Sequence, residues 1–239
     1  MAFVDRLSKN LTARIMDELG RAIITGRYQV GVILPLEDEL QEQFGASRTV
    51  LREAIKMLTA KGLLEARQRR GTIVQPEERW NLLDPDVLGW MLGREFSIDL
   101  LIDFTEIRLA IEPRAASLAA QTASGGQRQA IEAAIDRMYA AEHGTDDPLE
   151  SDIAFHVAVL QASNNRFMRQ FTDLADTTLR FSIRRTNAYK GVSRASASEH
   201  QRVADLIIRG EAERAQSAMF ELIQGALDLL LSAGGHDRA

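Results

Sequence analysis

Seven side chains in this 239-residue chain stand where their types and spacing suggest chemistry. Two share one helix face: in SRTVLREAIKML, residues 47–58, Arg48 and Arg52 lie one helical turn apart. Like charges at that spacing repel by about 0.2–0.5 kcal/mol, so an anion from outside the chain is the expected compensation. The other five interrupt apolar helix faces. In PLESDIAFHVAVLQ, Asp152 and His156 are four apart among Leu149, Ile153, Val159 and Leu160. His200 shares a stripe with Val203, Ala204 and Ile207. Arg108 falls inside the stripe Phe104, Ile107, Ile111, Ala115 and Leu118, and Arg185 lines up with Phe171, Thr178 and Phe181.

A buried carboxylate, imidazole or guanidinium is costly unless it is paired or coordinates something. One oxygen and two nitrogens from Asp152, His156 and His200 suit Zn²⁺ or a similar divalent ion. Arg108 and Arg185 carry the fork that grips a carboxylate. Plainer readings stay open: core histidines satisfied by neighbours, Arg108 paired with Glu112 one turn on, and Arg185 at a partly exposed helix end. His143 and His236 receive no role.

The elements that must position these residues divide the chain in two. Leu11, Ile15, Leu19, Ala22 and Ile23 recur at helical spacing, and Gly26 stops that helix. A turn-rich stretch leads to the short helix LEDELQEQF, and Gly45 makes a tight corner. Ser47 is a suitable N-cap for the next helix, whose buried stripe is Val50, Leu51, Ala54, Ile55 and Leu58. Arg48, Thr49, Arg52, Glu53 and Lys56 remain on the open side. LLEAR and TIVQ then read as a hairpin with Arg69 and Arg70 at its tip and Gly71 permitting the turn. Helix, corner, basic helix and basic hairpin describe a winged helix-turn-helix whose arginines meet phosphates and base edges.

The charge agrees. Residues 1–76 hold 12 Lys/Arg against 9 Asp/Glu, whereas the rest holds 17 against 25. A basic head on an acidic body is what DNA binding by one domain produces. There is no cysteine, which excludes disulfides and thiolate metal sites. No signal peptide and no run near the ~20 apolar residues of a membrane span is present, so a cytoplasmic location is expected.

The spacing predicts a winged helix-turn-helix over 1–76, a linker over 77–92 and an all-α domain over 93–239. Within the linker, Asp84 and Pro85 start a short bridging helix. Helices follow near 98–122, 126–142, 148–162, 165–186, 195–209 and 211–232, a bundle of six, or seven with the bridging helix. Pro113 lies inside the first of them and is expected to kink it.

The segment from Gly26 to Val74, with its G-x-x-x-x-G-x-x-L-P and S-R-x-x-L-R-E-A patterns, resembles the winged-helix domain of the GntR family of bacterial transcription regulators. The resemblance implies that Ser47, Arg48, Thr49 and Arg52 meet bases and phosphates and that Gly71 makes a wing contact. Asp38 stands where many members carry Arg, which implies a missing contact there and a different operator preference. EIRLAIEPRAASLAA, DIAFHVAVLQASNN and SEHQRVADLIIRGEAERAQSAM resemble the all-α effector (FCD) domain of the FadR subgroup. That implies a metal on Asp152, His156 and His200, and Arg108 gripping a carboxylate effector. The third histidine expected from the pattern is absent, and Leu222 occupies its place, leaving an open coordination position or no metal at all.

RWNLLDPDVLGWML is similar to the linker of the galactonate-operon repressors and their sugar-acid-sensing relatives. A hydroxylated acid would offer a carboxylate to Arg108 and Arg185 and hydroxyls to Thr178, Asn165 or a metal. The leading expectation is a homodimeric repressor that binds an inverted-repeat operator and releases it when a small sugar acid binds. The alternative is a metal-assisted hydrolase or lyase acting on a small hydroxy acid. Against it stand the lack of a general base or activated nucleophile and a basic wing left without purpose. A DNA-binding scaffold with no effector would leave Arg108, Asp152 and His156 unexplained.

Overall fold

The structure is a computed structural model that describes residues 2–67, 70–94, 98–186 and 196–237, with side chains described over 11–67, 70–94, 98–180 and 196–232. It is mainly α, with ten helices and one two-stranded sheet among the described residues. The chain divides into two compact units, Met1–Phe96 and Ser97–Ala239.

In the first unit, α1 (Ala2–Ile24) packs on α3 (Arg48–Ala60), and α2 (Glu37–Phe44) lies before the corner between them. Leu19, Leu40, Leu51 and Leu58 form the core, each nearly sealed from solvent. Gly45 sits in the left-handed region at φ 57°, which ends α2 and turns the chain sharply into α3. Ser47 caps α3 by accepting from the Val50 N–H. Strands β1 (Leu64–Arg67) and β2 (Gly71–Val74) pair antiparallel from Leu64↔Val74 to Arg67↔Gly71, forming the wing. Ile33 adds an isolated bridge to Ile73, with the Leu34 N–H donating to the Thr72 carbonyl, so a third extended segment backs the hairpin.

Residues 77–92, expected as a linker, belong to this unit. Trp80, Val87 and Trp90 share a core with Leu19, Leu51 and Val74, so α4 (Pro85–Arg94) is part of the head rather than of the bundle. Two large aromatic rings bury more apolar surface than a solvated linker could leave exposed. Polar contacts fix the register: Trp90 Nε1 donates to Asp17 at 2.7 Å, and Lys61 Nζ reaches Asp84 at 2.7 Å and Asp86 at 2.8 Å. At Gly62 a Cβ would stand 2.1 Å from the Arg79 carbonyl oxygen, so only glycine lets the two segments approach.

Among its described residues the second unit is an all-α bundle of six helices: α5 (Ile98–Thr122), α6 (Gly125–Glu142), α7 (Pro148–Ala162), α8 (Thr172–Thr186), α9 (Ala197–Ile208) and α10 (Ala212–Asp237). Helix α10 runs against α5, and α6 against α7. Capping boxes at Ser124–Gln127 and Ser196–Glu199 start α6 and α9, and Asp147 with Pro148 starts α7. Helix α5 continues through Pro113 without ending. Helix α8 begins seven residues later than the expected 165, because Asn164 at φ 52° breaks the chain and Met168–Phe171 forms a short 3₁₀ turn first. The core of this unit is Ala-rich, with Phe155 fully buried at its centre, so the helix backbones approach closely around the polar residues described next.

Candidate functional site

Three helices of the bundle bring one connected polar chain into the interior. Arg108 and Glu112 project from α5, Asp152 and His156 from α7 and His200 from α9, each pair one turn apart on its helix. Arg108 Nε donates to Glu112 Oε1 at 2.6 Å, and Nη2 reaches Oε2 at 3.4 Å. The other side of Glu112 Oε2 takes His156 Nδ1 at 2.6 Å. Asp152 Oδ1 lies 3.0 Å from His200 Nε2 and 4.0 Å from His156 Nε2. Phe155 packs edge-on against both imidazoles, at 5.4 and 4.9 Å between centroids, and walls the cluster from the rest of the core.

The electrostatics follow from burial and neighbours. Glu112 is 2% exposed, and burial alone would raise its carboxyl; the Arg108 and His156 side chains more than offset this and hold it at about 2. Burial likewise opposes the Arg108 charge, and Glu112, then Asp152, outweigh it and raise its pKa. Asp152 is pushed up by burial and brought below its ordinary value by the facing histidines and Arg108. Glu112 is therefore an ionised hub joining the guanidinium of one helix to the imidazole of another.

Asp152, His156 and His200 each offer a ligand atom within 4.8 Å of the others. Metal–nitrogen bonds of about 2.0–2.1 Å set ligand atoms at most ~4.2 Å apart across one ion, so a small inward movement would close the site. His200 Nε2 is buried with Asp152 Oδ1 3.0 Å away, while Nδ1 sits 3.1 Å from the Ser196 carbonyl. With Glu112 accepting from His156 Nδ1–H, the His156 Nε2 lone pair is the one left to face Asp152. The donor set fits a divalent cation.

The fork expected to grip an effector carboxylate closes instead on Glu112, because two of the Arg108 nitrogens are committed there. Its Nη2 also stands 3.2 Å from both ring nitrogens of His156. Thr178 is buried on α8 and donates its hydroxyl to the Leu174 carbonyl at 2.5 Å. Asn165 lies in the turn after α7, where its Oδ1 accepts from the Phe167 and Met168 N–H groups. The Arg185 side chain and Arg69 lie outside the described residues.

On the head, Ser47, Arg48, Thr49 and Arg52 all stand exposed at the N-terminal turn of α3. Arg70 is exposed beside the wing turn, and Gly71 follows it at φ 88°. The anion expected from outside the chain has an internal counterpart: Arg48 Nε bonds Glu37 at 2.9 Å, and Arg52 Nε lies 3.9 Å from the same carboxylate. Both guanidinium groups still face solvent, at 69% and 58% side-chain exposure, so the pairing leaves them presented outward. Sequence reasoning did not single out Glu37, although three acids opening a short helix beside the arginine turn were its signal.

Residues 11–74 match the model of the bacterial regulatory proteins, gntR family, and residues 103–225 match the FCD domain. The chain belongs to the GntR family of bacterial regulatory proteins and carries an FCD domain; it is a DNA-binding transcription regulator, not an enzyme. It is 34% identical to the galactonate operon transcriptional repressor of Escherichia coli K12, over 91% of this chain and 95% of that protein. It is also 34% identical to the HTH-type transcriptional regulator YieP of the same organism, over 90% and 94% of the two chains. A Streptococcus agalactiae GntR structure superposes with a TM-score of 0.50 at 26% identity, over 91% of this chain and 99% of that one. No helix among the described residues is long and apolar enough to cross a membrane.

Proposed function

We propose that the protein is a homodimeric repressor that holds an inverted-repeat operator through the N-terminal turn of α3 and the β1–β2 wing, and releases it when a sugar acid enters the helical unit. The observation that carries this reading is the buried chain Arg108–Glu112–His156–Asp152–His200. Packing alone gives no reason to place two acids, a guanidinium and two imidazoles inside an apolar bundle. The name of the galactonate repressor relative supports a sugar acid as the effector class.

In this reading Asp152, His156 and His200 hold a divalent metal, which would supply a concentrated positive charge for the acid's carboxylate and hydroxyl oxygens. Leu222 in place of a further histidine keeps a coordination position open to the effector. Arg108 turns from Glu112 to the effector carboxylate, and Thr178 and Arg185 are its assigned partners on α8; Asn165, already closing a local turn, is not required. Binding must stabilise one arrangement of the dimer over the other, since a ligand indifferent to the two shifts nothing. A regulator that reads operator DNA works in the cytoplasm. Anisotropy of labelled duplex from upstream of its own gene, titrated with galactonate and other aldonic acids plus Zn²⁺, tests the proposal. Release by at least one acid, with the acid recovered unchanged, is expected. Retention of DNA under every acid, or conversion of the acid, would overturn it.

A further inference from the structure

Glu37 opens α2, and its carboxylate lies between the two arginines of α3: Arg48 donates to Oε2 at 2.9 Å, and Arg52 stands 3.9 Å from Oε1. The three side chains come from two helices joined by the left-handed corner at Gly45, so their relative placement is set by a rigid turn. The neighbouring acid Asp38 engages Gln41 on its own helix at 3.3 Å instead. At 37% exposure of Glu37, 69% of Arg48 and 58% of Arg52, such pairs contribute only about 0–1 kcal/mol to folding, so stability gives little reason for the arrangement.

We infer that Glu37 is a positioning residue for sequence discrimination: it holds Arg48 and Arg52 at a fixed separation and opposes loose contact with phosphates. The inference rests on α3 being the DNA-reading helix. Phosphate contacts form on any sequence, whereas a base-edge contact forms only where an oriented guanidinium meets the matching acceptors. A carboxylate beside the arginines repels the phosphates of every duplex equally. The orientation it imposes is recovered as binding only on the right bases. Glu37 therefore lowers non-specific affinity more than operator affinity.

The test measures binding of the full-length protein to its operator and to a scrambled duplex, at two salt concentrations, for the native chain, E37Q, E37D and R52A. E37Q removes the charge at constant shape. It should tighten scrambled-duplex binding by about threefold to tenfold and leave operator binding within about twofold, so the specificity ratio falls by about threefold to tenfold. E37D keeps the charge and should restore most of the ratio. R52A should weaken operator binding at least about tenfold. An unchanged ratio in E37Q, with R52A still weak, overturns the positioning role alone. Native-like operator binding by R52A overturns the reading of α3, and the role of Glu37 falls with it. Equal weakening of E37Q on both duplexes with a lowered melting temperature would mean a merely structural residue and also overturns the inference.

Discussion

Replacing Glu112 with alanine removes the hub of the interior chain, and its cost can be worked from the geometry. Arg108 is 8% exposed and Glu112 2%, so the substitution leaves a guanidinium inside the bundle with its 2.6 Å partner gone. Breaking a buried ion pair from one side costs about 3–5 kcal/mol. His156 also loses the acceptor at its Nδ1, a further ~1–3 kcal/mol if water cannot reach it. At roughly 2–4 °C per kcal/mol for a unit of this size, the bundle should melt about 10–30 °C lower. The two units can be followed separately, because both tryptophans, Trp80 and Trp90, lie in the N-terminal unit. Tryptophan fluorescence then reports the head, and helical circular dichroism reports both. In metal-free protein, Glu112→Ala should shift the dichroism transition and leave the fluorescence transition in place. The double variant Arg108→Met/Glu112→Leu replaces the pair with apolar groups of similar volume and should recover at least half of the loss. A single-variant cost under about 1 kcal/mol, or a double variant no better than the single, would refute the account of Glu112 as a charge-neutralising hub.

Three further outcomes follow from the same chain. In metal-free protein Glu112 falls from 4.5 to about 2 on folding; its folded value lies below its unfolded one, so roughly 3 kcal/mol of stability is present above pH 4.5 and is lost as pH falls toward 2. Urea denaturation across that window should show a shallower slope in Glu112→Gln. Arg108→Ala should abolish release of DNA by the sugar acid while operator affinity stays within about twofold, and a variant still released at the native acid concentration would count against Arg108 as the effector grip. Zn²⁺ should raise the melting temperature of the native bundle by several degrees, and His200→Ala, which removes the Nε2 ligand atom facing Asp152, should lose most of that increase.

How much of this was readable beforehand differs between the two units. The helix-turn-helix was plain because each local signal agreed with the next: Ser47 as cap, Gly45 as corner, Leu51, Ala54 and Leu58 as a stripe. What misled was Trp80–Trp90. Its proline, asparagine and aspartates read as a linker, and only the packing of both indoles against α1 and the wing shows it to be core. In the bundle, spacing alone placed Asp152 and His156 on one face. The start of α8 was missed because the positive φ at Asn164 leaves little trace in the pattern of apolar residues.

The sequence by itself determined which residues were out of place: charged groups on apolar stripes and like-charged arginines on one turn, since periodicity assigns a face to every side chain. It could not decide what those groups touch. Arg108 had two eligible partners on paper, Glu112 and an effector carboxylate, and the tertiary structure committed it to Glu112, which in turn bonds His156 from another helix. Arg48 and Arg52 were expected to find their anion only in DNA, and the corner at Gly45 brings Glu37 against them first. Partner choice is a matter of distances between elements far apart in the chain, and those distances exist only once the helices have packed.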